Sequence, residues 1–146
     1  MPTAGRLTAA IAFAVIGCYV AFLISPLFAE AKQPAWWFPL CVLAGVWSGW
    51  VVVGARSGRG YSSGIGNGIT GVIAFVFWVL FLMSFADMIK RSLRKTYEGP
   101  VEAVVNVFEL MSEYVFAFWS PTLLGIIVLC GVGGGLFAEF FAKRFP

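Results

Sequence analysis

Residues 7–28, 36–54, 69–89 and 122–142 form four apolar stretches with almost no charge inside them. Each is as long as the hydrocarbon core of a bilayer is thick, because a spanning helix needs roughly 20 mainly apolar residues at ~1.5 Å rise each. The expected fold class is therefore all-α: an integral membrane bundle of four transmembrane helices plus one amphipathic interfacial helix over 100–119.

Composition agrees. Charged residues make up 12% of the chain, against about 25% in soluble domains, and the mean hydropathy is +0.90. Four spans leave short tails, two short loops and a connection over 90–121, so a single membrane domain over 1–146 is expected. The net charge of +3 is placed at helix ends: Arg6, Lys32, Arg56, Arg59, then Lys90, Arg91, Arg94 and Lys95, and finally Lys143 and Arg144. Such residues anchor spans among lipid headgroups. Nucleic acid is excluded as a partner, since its footprint needs a basic face on a soluble surface.

Cofactors are not expected. The chain has no histidine, which removes imidazole-held haem, bacteriochlorophyll or zinc unless ligands come from elsewhere. Cys18, Cys41 and Cys130 all fall in apolar stretches without a CxxC spacing, so they are expected to pack as small residues. Ala29-Glu30-Ala31 has the small-x-small form of a signal cleavage site. The apolar region before it exceeds the about 7 to 15 residues of a signal core, and a retained first helix is expected.

Along the chain, Ser25-Pro26 should kink or stop the first helix, and Pro34, Trp36, Trp37 and Pro39 should mark re-entry with paired indoles at headgroup depth. Gly45 and Gly49 stand four apart in the second span. Gly60, Gly64 and Gly68 repeat at the same interval, with Gly71 close to their line, and Gly131 and Gly135 do so in the last span. Stripes of small residues let helix backbones approach closely. They serve either packing inside this bundle or docking of another protein's helix.

Gly99-Pro100 and Ser120-Pro121 are helix starts, with proline where no hydrogen bond is lost. Between them Glu102, Asn106, Glu109 and Glu113 form one polar stripe on an apolar cylinder. Lying in the interface is favoured over crossing, because crossing would place the Glu109 carboxylate near mid-depth. Counted over four spans, basic residues divide five against five; a fifth crossing would make the split seven against three.

Asp87 and Glu139 each precede a basic residue by four positions, Arg91 and Lys143, which suits ion pairs near helix ends. The span centres hold apolar residues, glycine and tryptophan rather than the ionisable groups of a transporter. No catalytic triad or phosphate loop is present. Arg56 and Arg59 lie among glycines whose N–H groups, with the two guanidiniums, could hold an anion or lipid phosphate. Lys90, Arg91, Arg94 and Lys95 are expected to grip lipid phosphates too.

Met1-Pro2-Thr3-Ala4, Trp37-Phe38-Pro39, Arg56-Ser57-Gly58-Arg59-Gly60-Tyr61, Asn67-Gly68-Ile69-Thr70-Gly71 and Tyr97-Glu98-Gly99-Pro100-Val101-Glu102-Ala103 together resemble the TrgA family of small bacterial membrane proteins. The resemblance runs from end to end. It implies an inner-membrane location and an association with tellurite resistance, in alphaproteobacteria with versatile respiratory and photosynthetic membranes. It carries no catalytic residues. The expectation is a non-enzymatic accessory or assembly subunit, docking through Gly60, Gly64, Gly68, Gly71, Gly131 and Gly135 onto a respiratory or photosynthetic complex. The alternatives are a dimeric oxyanion or small-solute transporter with Arg56, Arg59 and Glu109 along its path, and a self-associating membrane organiser.

Overall fold

The computed structural model describes residues 3–28, 33–94 and 98–145. Met1, Pro2, Ala29, Glu30, Ala31, Lys32, Lys95 and Tyr97, singled out above, lie outside the described residues. Among the described residues the chain forms α1 (Thr3–Ile24), α2 (Trp37–Ser48), α3 (Tyr61–Leu93), α4 (Pro100–Ala117) and α5 (Pro121–Arg144), with no strand. Four helical segments, Ala4–Phe28, Trp37–Arg56, Tyr61–Leu93 and Pro121–Arg144, are long and apolar enough to cross a membrane. The protein is an all-α, multi-pass membrane bundle.

Helix ends follow local chemistry. Past Ile24 the chain tightens into a 3₁₀ turn, Ser25–Phe28, since Pro26 cannot continue an α-helix. Gly99 and Ser120 are extended, and a proline opens the next helix in each case.

Two antiparallel glycine contacts hold the bundle. Between lipid-facing helices the hydrophobic effect supplies little, so close packing must hold them together. A Cβ on Gly17 would strike the carbonyl of Cys41, one on Gly45 that of Phe13, and one on Gly49 that of Ala9, which locks α1 to α2. Gly68 meets the carbonyl of Gly131 and Gly135 that of Gly64 in the same way, locking α3 to α5. Helix α5 also lies along α1, where Gly134 receives Phe13 and Ile16 and Ala142 faces Gly5. Phe13, Phe75, Val53, Trp37 and Cys41 fill the centre. Cys41 is buried, Cys130 half-buried and Cys18 exposed, and none is in a disulfide.

Two features of the second and third spans have physical reasons. Helix α3 starts at Tyr61, eight residues before the apolar stretch at 69, because the serines and glycines of its first turns read as too polar for a span yet are what admits α5. The span over 36–54 is not uniform. After Ser48 it loosens into a π turn, Gly49–Val53, then tightens to 3₁₀ over Gly54–Arg56. In that stretch Gly49 lies on α1 and the Ser48 hydroxyl donates to the carbonyl of Gly71 on α3.

These contacts gather the start of α1, the α2–α3 loop and the end of α5 at one end of the bundle, here the loop end. The end of α3 and the start of α5 meet at the other, where α4 lies. Helix α4 is not among the four segments long and apolar enough to cross a membrane, and Arg6, Arg56, Arg59, Lys143 and Arg144 all lie toward the loop end. At ~1.5 Å per residue the 33 residues of α3 run about 50 Å, well over the ~30 Å of a hydrocarbon core. Helix α4 pairs with the last turns of α3 in antiparallel fashion: Tyr114 reaches Asp87, while Asn106 and Glu109 stand beside Arg91. Val107 and Leu110 are buried in that contact, and the acidic stripe Glu102, Glu109 and Glu113 is exposed.

Candidate functional site

The loop end is organised by a carboxylate. Glu139 is 0% exposed. Its Oε2 accepts from the backbone N–H of Gly58 at 2.7 Å and its Oε1 from that of Gly60 at 2.5 Å. Both glycines have positive φ, 95° and 120°, a conformation that L side chains rarely adopt. In this loop that backbone turns both N–H groups toward one carboxylate. Asn67 braces the loop further, its Nδ2 donating to the carbonyl of Arg56 at 3.0 Å. Charge-assisted bonds of this kind are strong, and they satisfy a group that would be costly to bury alone.

Three expectations are corrected here. Glu139 does not pair with Lys143: it points into the α3 contact, where its Cβ lies 3.2 Å from the position a Gly64 Cβ would take. Lys143 instead sits over the Tyr61 ring, 4.2 Å from its centroid. The N–H groups of the glycine loop are not open to an external anion, because Glu139 occupies them; Arg56 and Arg59 are exposed around a loop that is already filled. Finally, Gly64, Gly68, Gly71, Gly131 and Gly135 are buried within this chain, Gly71 against Phe13 and Val53. They dock the molecule's own helices and leave no face for a partner's helix, while Gly60 serves the loop.

The α4 end is built differently. Asp87 forms an ion pair with Lys90 at 3.3 Å rather than with Arg91, and it accepts a hydrogen bond from the Tyr114 hydroxyl. Burial first, then donation to Asp87, pushes the Tyr114 phenol above its usual range, so it stays a donor. Lys90 also lies over Trp36, 5.4 Å from the ring centroid. Arg91 and Arg94 are exposed. Trp37 faces the interior of the bundle rather than lipid: it is 1% exposed, and its indole N–H donates to the Ala21 carbonyl at 3.2 Å. Arg56 and Arg59 stand at the loop end and Glu109 on α4, at opposite ends of α3, so the groups a transporter path would need are not brought together.

Two apolar hollows open on the sides. One, about 440 Å³, lies between α2 and α3 and is walled by Leu43, Trp47, Trp50, Val51, Trp78 and Leu82. The other, about 230 Å³, lies where α4 and α5 diverge from α3. Among the described residues no group of three metal-ligating side chains is found.

Residue spacing held a signal for Glu139 that a search for ion pairs misses. Gly131, Gly135 and Glu139 are four apart, so a carboxylate stands on the same face as the packing glycines and must point at α3. No such signal marked Tyr114 or Gly58. Comparison with protein-family models, with curated proteins and with solved structures finds no match for this chain.

Proposed function

We propose that this protein is a non-enzymatic accessory or assembly subunit of the bacterial inner membrane. Its resemblance to the TrgA family supports a link with tellurite resistance, exerted indirectly by supporting a respiratory or photosynthetic complex on which it docks. The observation that carries the proposal is the indole-lined hollow between α2 and α3. Trp47 is 56% exposed and Trp50 41%, and among the described residues no helix covers them. Aromatic side chains around an unfilled recess are suited to anchor a partner's helix, whose side chains would fill a space that disordered acyl chains fill poorly. The interior supports the same view, since Glu139, Ser48 and Asn67 are engaged in holding the fold.

Purification of the tagged protein from gently solubilised membranes tests this. A stoichiometric membrane complex should co-migrate with it and be lost in the double variant Trp47→Ala, Trp50→Ala. Co-migration unchanged by that variant would refute docking at the hollow. A chain that migrates alone or only with copies of itself would refute the accessory role.

A further inference from the structure

Three crevices follow one another along the C-terminal half of α3, the first linked to the second by the Tyr114–Asp87 hydrogen bond and the second to the third by Arg91. The first is the apolar hollow of about 230 Å³, bounded by Ile24, Val79, Met83, Phe118 and Ile127. Trp119 at its rim is 64% exposed and Leu124 36%, so it opens between α4 and α5 toward lipid. It falls below the ~300–1,000 Å³ of pockets for drug-sized molecules, which suits a length of linear chain rather than a ring system. Tyr114 lines this hollow with its ring and reaches Asp87 with its hydroxyl.

Asp87 in turn lines the second crevice, about 180 Å³, with Lys90, Arg91 and Arg94. With three cations and one carboxylate, it favours an anion. The third, about 380 Å³, is walled by Arg91, Asn106, Glu109 and Glu113. Asn106 donates to Glu109 at 3.2 Å there. Among the described residues no ion pair within 4.0 Å joins Arg91 to Glu109 or Glu113. Opposite charges thus face each other across a gap they do not close. A group carrying both signs would bridge it.

Val79, Met83, Asp87 and Arg91 succeed one another at intervals of four on α3, so apolar, hydroxyl-bearing, cationic and mixed-charge surfaces follow in a line of about 18 Å. That gradient has the order of a phospholipid from tail to head. We propose that this line binds one aminophospholipid of the phosphatidylethanolamine type. One acyl chain enters the apolar hollow, the phosphate lies on Arg91 and Arg94, and the ammonium lies at Glu109 and Glu113. A primary ammonium is selected because it donates hydrogen bonds to carboxylates, which a choline headgroup cannot. The site is on a different face of α3 from the α2–α3 hollow and does not depend on docking there.

The test is native mass measurement of the detergent-purified protein, with dioleoyl phosphatidylethanolamine, phosphatidylglycerol and phosphatidylcholine added in competition. One phosphatidylethanolamine should be retained per chain, about tenfold over each of the others, as one charge-assisted contact predicts. Glu109→Gln with Glu113→Gln should abolish the preference over phosphatidylglycerol while retention of both lipids persists. Arg91→Ala should lower retention of both, and Leu124→Trp, which fills the rim, should lower all three. Equal retention of the three lipids by the unaltered protein would overturn the proposal without recourse to any variant. So would an equal loss in Arg56→Ala, Arg59→Ala, or displacement of the lipid by tail-less glycerophosphoethanolamine at the same concentration.

Discussion

Glu139 and Asp87 occupy equivalent places in the sequence, each near the end of a long apolar helix with a basic residue four positions on. The protein treats them oppositely. Glu139 is wholly enclosed and bonded to two backbone N–H groups from another part of the chain. Asp87 keeps 26% of its side chain exposed and bonds to two side chains, Lys90 and Tyr114. What differs is the helix face around them. Glu139 continues a row of glycines that draws α3 onto α5, so its carboxylate is carried inward whatever charge follows it. Asp87 lies near the end of α3, beyond the glycine contacts, where Tyr114 of α4 meets it. One end of the bundle is fixed by backbone geometry, and the other is held by side chains that leave crevices between them.

The sharpest way to break this contrast is to attack the glycine contact itself. In Gly68→Leu the new side chain would run into the carbonyl of Gly131, a backbone atom that cannot yield without separating the helices. The loss should exceed the about 1–3 kcal/mol typical of core overpacking, because the obstacle is backbone, and no folded bundle should survive in detergent. Gly133→Ala is the matched control: a Cβ there meets nothing within 4 Å, so the unfolding midpoint in mixed detergent micelles should hold or rise slightly.

Next in size is Glu139→Ala, which leaves the Gly58 and Gly60 N–H groups without an acceptor. Hydrogen bonds to charged groups contribute about 1.5–3 kcal/mol each in mutational series, so a loss of about 3 kcal/mol is expected. Hydrogen exchange should speed up over 57–61. Glu139→Gln keeps one acceptor oxygen and should lose roughly half as much. If Glu139→Ala exchanged no faster at the loop, the carboxylate would not be what orders that end.

Much of this was legible in the residues and some was not. Helices, their proline starts, the four spans and the small-residue faces follow from hydropathy and spacing, because those are properties of single helices. The partners of Glu139 were hidden because they belong to another segment 79 and 81 residues away in sequence. Local rules favour an i to i+4 ion pair, and a tertiary contact overrode it. The start of α3 was legible in the spacing of Gly60, Gly64 and Gly68 along one helical stripe, although serines and glycines lower the hydropathy over 61–68. Trp37 looked interfacial by residue type, yet its indole N–H has an internal acceptor in Ala21, which no pattern announces.

At the α4 end effects should be smaller and local. Tyr114→Phe removes the hydroxyl from Asp87, with an expected loss of about 1.5 kcal/mol, the lower part of the range for a bond to a charged group. Exchange should rise across 107–117 and stay unchanged across 121–144, because α5 is held by α1 and α3 through their own contacts. A rise that spread into α5 would show the two ends to be coupled, and the contrast between them would fail.

The smallest effect belongs to the loop cations. Arg56 and Arg59 are exposed, and the turn between them is shaped by two positive-φ glycines and filled by Glu139. Removing the guanidiniums takes away neither the N–H donors nor their acceptor. The double variant Arg56→Ala, Arg59→Ala should therefore unfold within about 0.5 kcal/mol of the unaltered protein, as exposed substitutions do, with exchange at Gly58 and Gly60 unchanged. Its effect should show only on membranes: each Lys or Arg near an anionic surface contributes about 1 kcal/mol of attraction, so orientation during insertion is the measurement to follow. A large stability loss in this variant would mean that the arginine side chains hold the turn, and that the backbone carboxylate bonds do not suffice.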